Sequence, residues 1–321
     1  MRKPFFILRN VVKSLSGGWI VKKFLSVMLL LATALLLNAG LPQGEFDWSK
    51  AKKLAPGIRI KHFTLKDPRP LNIWAVQIDF DNPRVYLVTT GRDENLGKPM
   101  PDYPSMKIET KRTRVQDFLK QYRQKGFDMR LAVNAAPWRP WTKPYNHKYS
   151  GNIGLAVSNG QVVAVPDKRA VPALVVRKNG KMEMISFKPG DKTDDIRLAV
   201  SGFDFVLRDG KQSCNNNMRL EPRTFFGLSQ DGKKLYFLIV DGRQKGFSEG
   251  FAYCEGAQFL KYLGAWHGIN MDGGGSTTLV TCRKNNVRVE NCPPGTKPEQ
   301  RSKAEKYTRP VANCLGVYIS K

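Results

Sequence analysis

The chain has 321 residues, 41% hydrophobic and 10% aromatic, which is enough to bury a sizeable core and too apolar for a disordered chain. Its 53 Lys and Arg against 27 Asp and Glu give a net charge of +26, which favours phosphorylated glycans, acidic envelope polymers, anionic membrane or nucleic acid as partners, or else only a solvated surface. No zinc-finger or RNP pattern and no basic stretch interleaved with aromatics points to specific nucleic-acid binding, and the 3 histidines lack HExxH-type spacing, which argues against a His-based zinc site.

A targeting pattern comes first. Arg2, Lys3, Arg9, Lys13, Lys22 and Lys23 form a basic stretch without an acid, followed by the apolar run Phe24–Leu37 and the small-residue segment Asn38-Ala39-Gly40. The run is short for a membrane span, so residues 1–39 read as a signal peptide or an uncleaved signal anchor. The mature part is then expected in the periplasm or outside the cell, touching membrane only through this leader. Without the leader's six basic residues the charge is still about +20.

Strand-like runs follow at Ile58–Thr64, Leu71–Asp79 and Arg84–Thr89. An amphipathic helix, Thr113–Lys125, carries Val115, Phe118, Leu119 and Tyr122 on one face. Further strands are expected at Arg130–Asn134, Gly154–Val157, Gln161–Val165, Ala173–Val176, Met182–Ser186, Phe203–Arg208, Thr224–Leu228 and Leu235–Val240. A second helix, Tyr253–Leu263, stops at Gly264, and strands Gly268–Asp272 and Val311–Ile319 complete the set. Asn-Gly or Asp-Gly turns begin at Asn159, Asn179, Asp209 and Asp231. Many strands, few helices and no βαβ alternation predict an α+β fold: a mixed, largely antiparallel sheet core with a few packed helices in one domain.

Five cysteines leave at least one unpaired. A Cys282–Cys292 bridge across a short excursion is the first expectation and Cys214–Cys254 the second, with Cys314 a buried thiol inside an apolar run.

Polar residues gather where apolar runs end: Asp241, Arg243, Asn270, Asp272 and Ser276. Strand-terminal carboxylate and amide groups, followed by Gly273, Gly274 and Gly275, suit a pocket whose backbone bends close to a ligand. Arg223 and Arg243 flank the Thr224–Val240 hairpin, so paired strands bring both guanidinium groups to one end of the sheet, where they suit phosphate or carboxylate; a salt bridge between Arg243 and Asp241 is the alternative. Glu255 and Asp272 bracket the second helix and the next strand and offer a glycosidase carboxylate pair, unless Glu255 only complements the helix dipole. Trp138 and Trp141 beside Arg139 suit a charged sugar ring, or simple packing.

Taken together, VNAAPW with Asn134, GLAVSNGQVVA, AVSGFDFVLRDGK, RTFFGLSQDGKKLYFLIVDGR, the Glu255 helix, NMDGGGSTTLV and RPVANCLGV resemble the phosphodiester glycosidases, the family that includes the lysosomal uncovering enzyme. The resemblance implies a catalytic region over 113–321, with 40–112 a strand-rich part of the same domain. It implies hydrolysis between an anomeric carbon and a phosphodiester oxygen, at a site lined by Asn134, Ser201, Gly202, Arg223, Asp241, Gly242, Arg243, Glu255, Asn270, Asp272, Gly273, Gly274, Gly275 and Ser276. The family usually has Gly-Gly-Phe where this chain has Ala135-Ala136-Pro137, and Gly-Gly-Pro where it has Gly202-Phe203-Asp204, so a reshaped pocket is expected.

In this reading Arg223 and Arg243 hold phosphate, Asp272 is nucleophile or base, Glu255 its partner acid or base, and Asn134 and Asn270 hold sugar hydroxyls or orient Asp272. No cofactor is required, although the acidic and amide oxygens of the elbow also suit a hard divalent cation. The expected partner is a phosphorylated or otherwise anionic glycan. Rival readings are a glycosidase acting on a non-phosphorylated acidic glycan, and a non-catalytic envelope protein that binds anionic polymer.

Overall fold

Edge strands with period-two burial, such as Val85–Thr89 and Met182–Phe187, and central strands buried on both faces build three main antiparallel sheets that share one apolar interior. The computed structural model describes residues 40–215, 217–296 and 298–320; the expected leader lies outside the described residues. The large sheet has eight strands in the order Lys52–Ala55, Ile58–Leu65, Leu71–Asp79, Lys234–Val240, Arg223–Leu228, His267–Asn270, Asp204–Arg208, Lys211–Gln212. A second sheet of five strands runs Asn286–Val289, Leu279–Arg283, Asp128–Asn134, Cys314–Ile319, Val85–Thr89. A third, also of five, runs Gln161–Ala164, Ala156–Ser158, Ile196–Ser201, Val171–Arg177, Met182–Phe187.

Ile78, Phe226, Phe237 and Ile269 of the large sheet meet Leu131, Val133 and Val317 of the second and Leu174, Leu198 and Val200 of the third in a single core. The helix Val115–Gln124 covers the outer face of the second sheet through Phe118 and Leu119, which pack with Met129, Ala132 and Val280. The other helix, Tyr253–Tyr262, lies on the outer face of the large sheet and comes unusually close to it. Leu260 fills the space left by Gly227 and Gly268, which are cross-strand partners, while Gly256 sits against the ring of Phe225.

Every strand pairing among the described residues is antiparallel, so the expected mixed sheet is corrected. Two α-helices are present among the described residues, with 3-10 segments at Trp48–Lys50, Gly274–Ser276 and Pro298–Tyr307. Besides the short strands of the two smallest sheets, five strands escape the sequence reading: Lys52–Ala55, Ile196–Ser201, Lys211–Gln212, Leu279–Arg283 and Asn286–Val289. Ile196–Ser201 lies between two neighbours and is buried on both faces, so it shows little alternation. The last two are joined by Lys284 and Asn285, both at positive φ (44° and 68°), a hairpin turn without the Asn-Gly or Asp-Gly signature.

That hairpin also decides the cysteines. Cys282 pairs with Val287 in the register and turns into the apolar cluster beneath the Val115–Gln124 helix. Cys292 lies beyond the hairpin, its thiol donating to the Thr296 carbonyl at 3.6 Å, so the expected Cys282–Cys292 bridge does not form. The bridge present is Cys214–Cys254, which ties the segment after Lys211–Gln212 to the first turn of the Tyr253–Tyr262 helix. Cys314 is a buried thiol, as expected.

The close approach of helix and sheet is testable. Replacing Gly256 by Ala gains about 1 kcal/mol of helix propensity, but the added Cβ would lie 2.2 Å from Phe225 Cζ. Overpacking of this kind costs roughly 1–3 kcal/mol and prevails. Gly256→Ala is expected to lower the urea midpoint; a higher midpoint would mean that the ring yields freely.

Candidate active site

The site forms where the chain leaves the large sheet and enters the second. After strand His267–Asn270, the Met271 amide still donates to Thr224 of the large sheet (2.9 Å), but the Asp272 amide already donates to Ala135 at the end of Asp128–Asn134 (3.0 Å). Asn134 fastens this crossing: its side-chain amide donates to the Asp272 carbonyl at 2.6 Å, and its Oδ1 accepts from the Thr224 hydroxyl (2.8 Å) and the Thr278 amide (3.0 Å). Asp272 is thereby aimed into a cleft of about 290 Å³.

Its carboxylate accepts the Trp138 indole N–H at 3.0 Å on Oδ2 and the Gly273 amide at 3.0 Å on Oδ1. Burial nevertheless dominates and raises its pKa to about 6, against the opposing pull of Ser276, Arg309, Trp138 and the Gly273 amide. Trp138 is held in turn by Arg112, whose guanidinium lies 4.3 Å from the indole centroid and donates to the Tyr145, His147 and Pro310 carbonyls. Burial, then Arg309, lowers the pKa of Arg112 to about 10.

Three arginines face the carboxylate's cleft: Arg223, Arg243 and Arg309, with Arg219 on the rim. Arg223 is buried, which lowers its pKa; it donates to the Phe251 and Arg219 carbonyls, both at 3.1 Å, and lies over the Tyr253 ring. Arg243 adopts a left-handed φ of 61° and pairs with Glu221. Arg309 stacks on Tyr145 at 4.4 Å and crosses Gly275 so closely that a Cβ there would lie 2.3 Å from its Nη2. The glycines therefore admit protein as much as ligand: a Cβ on Gly273 would meet the Pro222 carbonyl at 2.8 Å, and Gly274, at φ 60°, lies against Arg243. Trp138, Trp141, Tyr145 and Phe203 form the aromatic wall. The bulk expected from Phe203 stands in that wall, 5.6 Å from Trp141.

Of the residues singled out from the sequence, the cleft gathers Arg223, Arg243, Asp272, Gly273, Gly274, Gly275 and Ser276. The others lie behind it. Asp241 accepts from Asn72 Nδ2 (2.6 Å), Asn291 Nδ2 (2.9 Å) and the Cys292 amide (2.9 Å), which anchors three chain segments on one buried carboxylate. Glu255 accepts the Ala252 amide at 2.8 Å and is ion-paired with half-buried Arg69, so the expected Glu255–Asp272 pair does not face one cavity. Asn270 donates to the Met271 carbonyl at 3.2 Å, and Ser201 accepts the Leu155 amide at 2.7 Å. Gly202 is required by packing, since a Cβ would lie 2.3 Å from Ile269. Arg139 is turned outward to Asp167, and the partner of Arg243 is Glu221, not Asp241.

Arg309, Arg112 and Glu221 were not singled out from the sequence. Arg309 carries the signal used for the others, a charge at the start of an apolar run, but 34 positions separate it from Gly275. No cluster of three or more His, Cys, Asp or Glu side chains suited to a metal occurs among the described residues. No helix among them is long and apolar enough to cross a membrane.

Several solved structures share the fold. The catalytic domain of zebrafish N-acetylglucosamine-1-phosphodiester alpha-N-acetylglucosaminidase, auto-inhibited by its pro-peptide, is 18% identical, with a TM-score of 0.58 and 87% of each chain covered. A hypothetical protein from Synechocystis is 12% identical with a TM-score of 0.54, covering 83% of this chain and 62% of its own. A Burkholderia pseudomallei protein described as exported is 11% identical with a TM-score of 0.50, covering 78% and 74%. None of the curated proteins matches the sequence. The phosphodiester glycosidase family model matches residues 132–318, more than half of the sequence, and the chain accordingly belongs to that family, as a hydrolase of the glycosidase type.

Proposed function

We propose that the protein is an exported enzyme that hydrolyses the anomeric C–O bond of a sugar-1-phosphodiester in an envelope or extracellular glycan. The observation that carries this reading is the company kept by Asp272: one desolvated carboxylate among Arg223, Arg243 and Arg309, with no second unpaired carboxylate in the cleft. Cleavage of an ordinary glycoside needs an acid to protonate the departing alkoxide. A phosphate monoester, with its second pKa at about 6, departs without one. It needs its charge met instead, and the guanidinium groups of the cleft do that.

In the proposed step the bond from C1 to the bridging phosphate oxygen breaks, and its electron pair leaves with the phosphate monoester. Asp272 either takes the proton of a water whose oxygen bonds to C1, or itself bonds to C1 and is released when water replaces it there. Arg309 and Arg243, on either side of the glycine elbow, stabilise the phosphate as it gains charge, and Arg223 supplies fixed positive potential from below. The aromatic wall receives the sugar. Asn134, Asn270 and Asp241 act as positioning residues, and Glu255 fixes the start of its helix. Export is supported by the leader pattern and by the Cys214–Cys254 bridge, which suits an oxidising compartment.

Asp272→Asn is expected to lower turnover of a sugar-1-phosphodiester by roughly 10³-fold or more; near-normal activity removes Asp272 from the chemistry. The same variant is also expected to be more stable. A folded pKa raised from 3.8 to about 6 means that the native state binds more protons than the unfolded state between those values, so stability falls as pH rises through that window. Above it, ionised Asp272 costs up to about 3 kcal/mol, which Asn avoids. Urea titrations should show that gain at pH 7 and its absence at pH 3.

Wild-type kcat/KM should rise through pH about 6 as Asp272 ionises. A decline across that range would make it a proton donor instead. Arg309→Ala and Arg243→Ala should each reduce kcat/KM on phosphodiesters by roughly 10²-fold, while p-nitrophenyl glycosides lose far less. Equal losses on both substrates would favour a glycosidase acting on non-phosphorylated acidic glycans.

A further inference from the structure

A second cleft, of about 550 Å³, lies between the outer strands of the large and second sheets and shares no residue with the first. Its walls come from Lys52–Ala55, Ile58–Leu65 and Leu71–Asp79 on one side and from the hairpin of Leu279–Arg283 and Asn286–Val289 on the other. Core-facing strand positions call for apolar side chains. Leu279 obeys and joins the shared core, yet Thr281 and Arg283, two and four residues further along the same face, do not. Across the hairpin Arg288 stands opposite Thr281, and Asn286 opposite Arg283. On the facing strands Ile60 and Val76 belong to the core; Trp74, next on its face, packs against that core at the cleft's edge, and its cross-strand partner His62 stacks on it at 4.3 Å.

The charge is one-sided. Lys50, Lys52, Lys61, Arg283 and Arg288 line the cleft with a single acid, Glu290. Glu290 accepts the Thr281 hydroxyl at 2.6 Å and lies 3.9 Å from Arg288, while Lys50 reaches Asp47 at 3.8 Å. Lys52, Lys61 and Arg283 form no ion pair among the described residues. Cations gathered in a recess repel one another, and an anion that enters relieves the repulsion.

We infer that this cleft binds a segment of acidic glycan, separately from catalysis: the cations meet carboxylate or phosphate groups, and the Trp74–His62 pair offers a surface to one sugar ring. The choice of glycan over nucleic acid rests on the carbohydrate reading of the first cleft and on the aromatic count, since one stacked pair serves a single ring and not a run of bases. An acidic polymer gripped here would be held at the enzyme while its phosphodiesters are presented to the first cleft.

The test measures binding of a galacturonic acid hexamer and a mannose-6-phosphate-bearing oligosaccharide by titration calorimetry, with maltohexaose as the neutral control and decathymidylate as competitor. Wild type should bind at least one acidic oligosaccharide, and which of the two identifies carboxylate or phosphate as the group read. Arg283→Glu with Arg288→Glu should weaken that binding by roughly tenfold or more, whereas the exposed pair Lys178→Glu with Lys188→Glu, with the same change in net charge, should change it less than about twofold. If the first pair unfolds, Lys52→Glu with Lys61→Glu replaces it. Turnover of a small soluble sugar-1-phosphodiester should be unchanged in the cleft variants. Equal losses in both charge-matched pairs, equal binding of maltohexaose, tighter binding of decathymidylate, or no binding at all would overturn the inference. Absence of turnover by wild type would count against the catalytic reading alone, since the binding measurement does not depend on it.

Discussion

The arrangement depends on keeping one carboxylate nearly dry at the point where two sheets exchange a chain. Asp272 cannot be left there by packing alone, because an ionised group removed from water must recover hydrogen bonds and opposite charge. The surroundings supply both: the Trp138 indole and Gly273 amide from near at hand, and Arg309 from a distant part of the sequence. The backbone is secured separately, through Asn134, so that strand Arg223–Leu228, the elbow and the second sheet share a single side chain. Position and charge are thus controlled by different residues.

Asp241 plays a comparable part out of sight. Its carboxylate joins the Leu71–Asp79 strand, through Asn72, to the segment containing Asn291 and Cys292 and to the turn that carries Arg243. Asn72 also lies 2.6 Å from His62, a residue of the second cleft. A buried acid with several donors is a rigid joint, and removing any one donor leaves an unsatisfied group that costs about 1–3 kcal/mol. Such joints let a cleft built from long, flexible arginines keep its shape.

Much of the fold was legible because buried and more exposed residues alternate along strands such as Val85–Thr89 and Met182–Phe187, and because Asp-Gly and Asn-Gly turns punctuate the chain. Central strands buried on both faces were harder, since alternation vanishes there. Within the cleft, residues at strand ends were legible because an apolar run that stops at a charge leaves that charge at the sheet's edge. Glu255 carries the same local signal but is spent on its own helix amide and on Arg69, a partner that no spacing announces. Arg309 carries the signal too, just before the run that begins at Val311, but becomes decisive only once the fold lays it over Gly275.

The Cys214–Cys254 bridge stands one step from this cleft. The segment that it fastens continues into Asn217, Arg219 and Glu221, which form part of the rim, and Glu221 in turn holds Arg243. None of the three sheets' shared core depends on that bond. Protein made in a reducing cytoplasm would accordingly acquire its three-sheet core and pass for native by circular dichroism, yet have slack at the mouth. Folding yield and active fraction would then diverge, and only oxidative recovery would bring them back together.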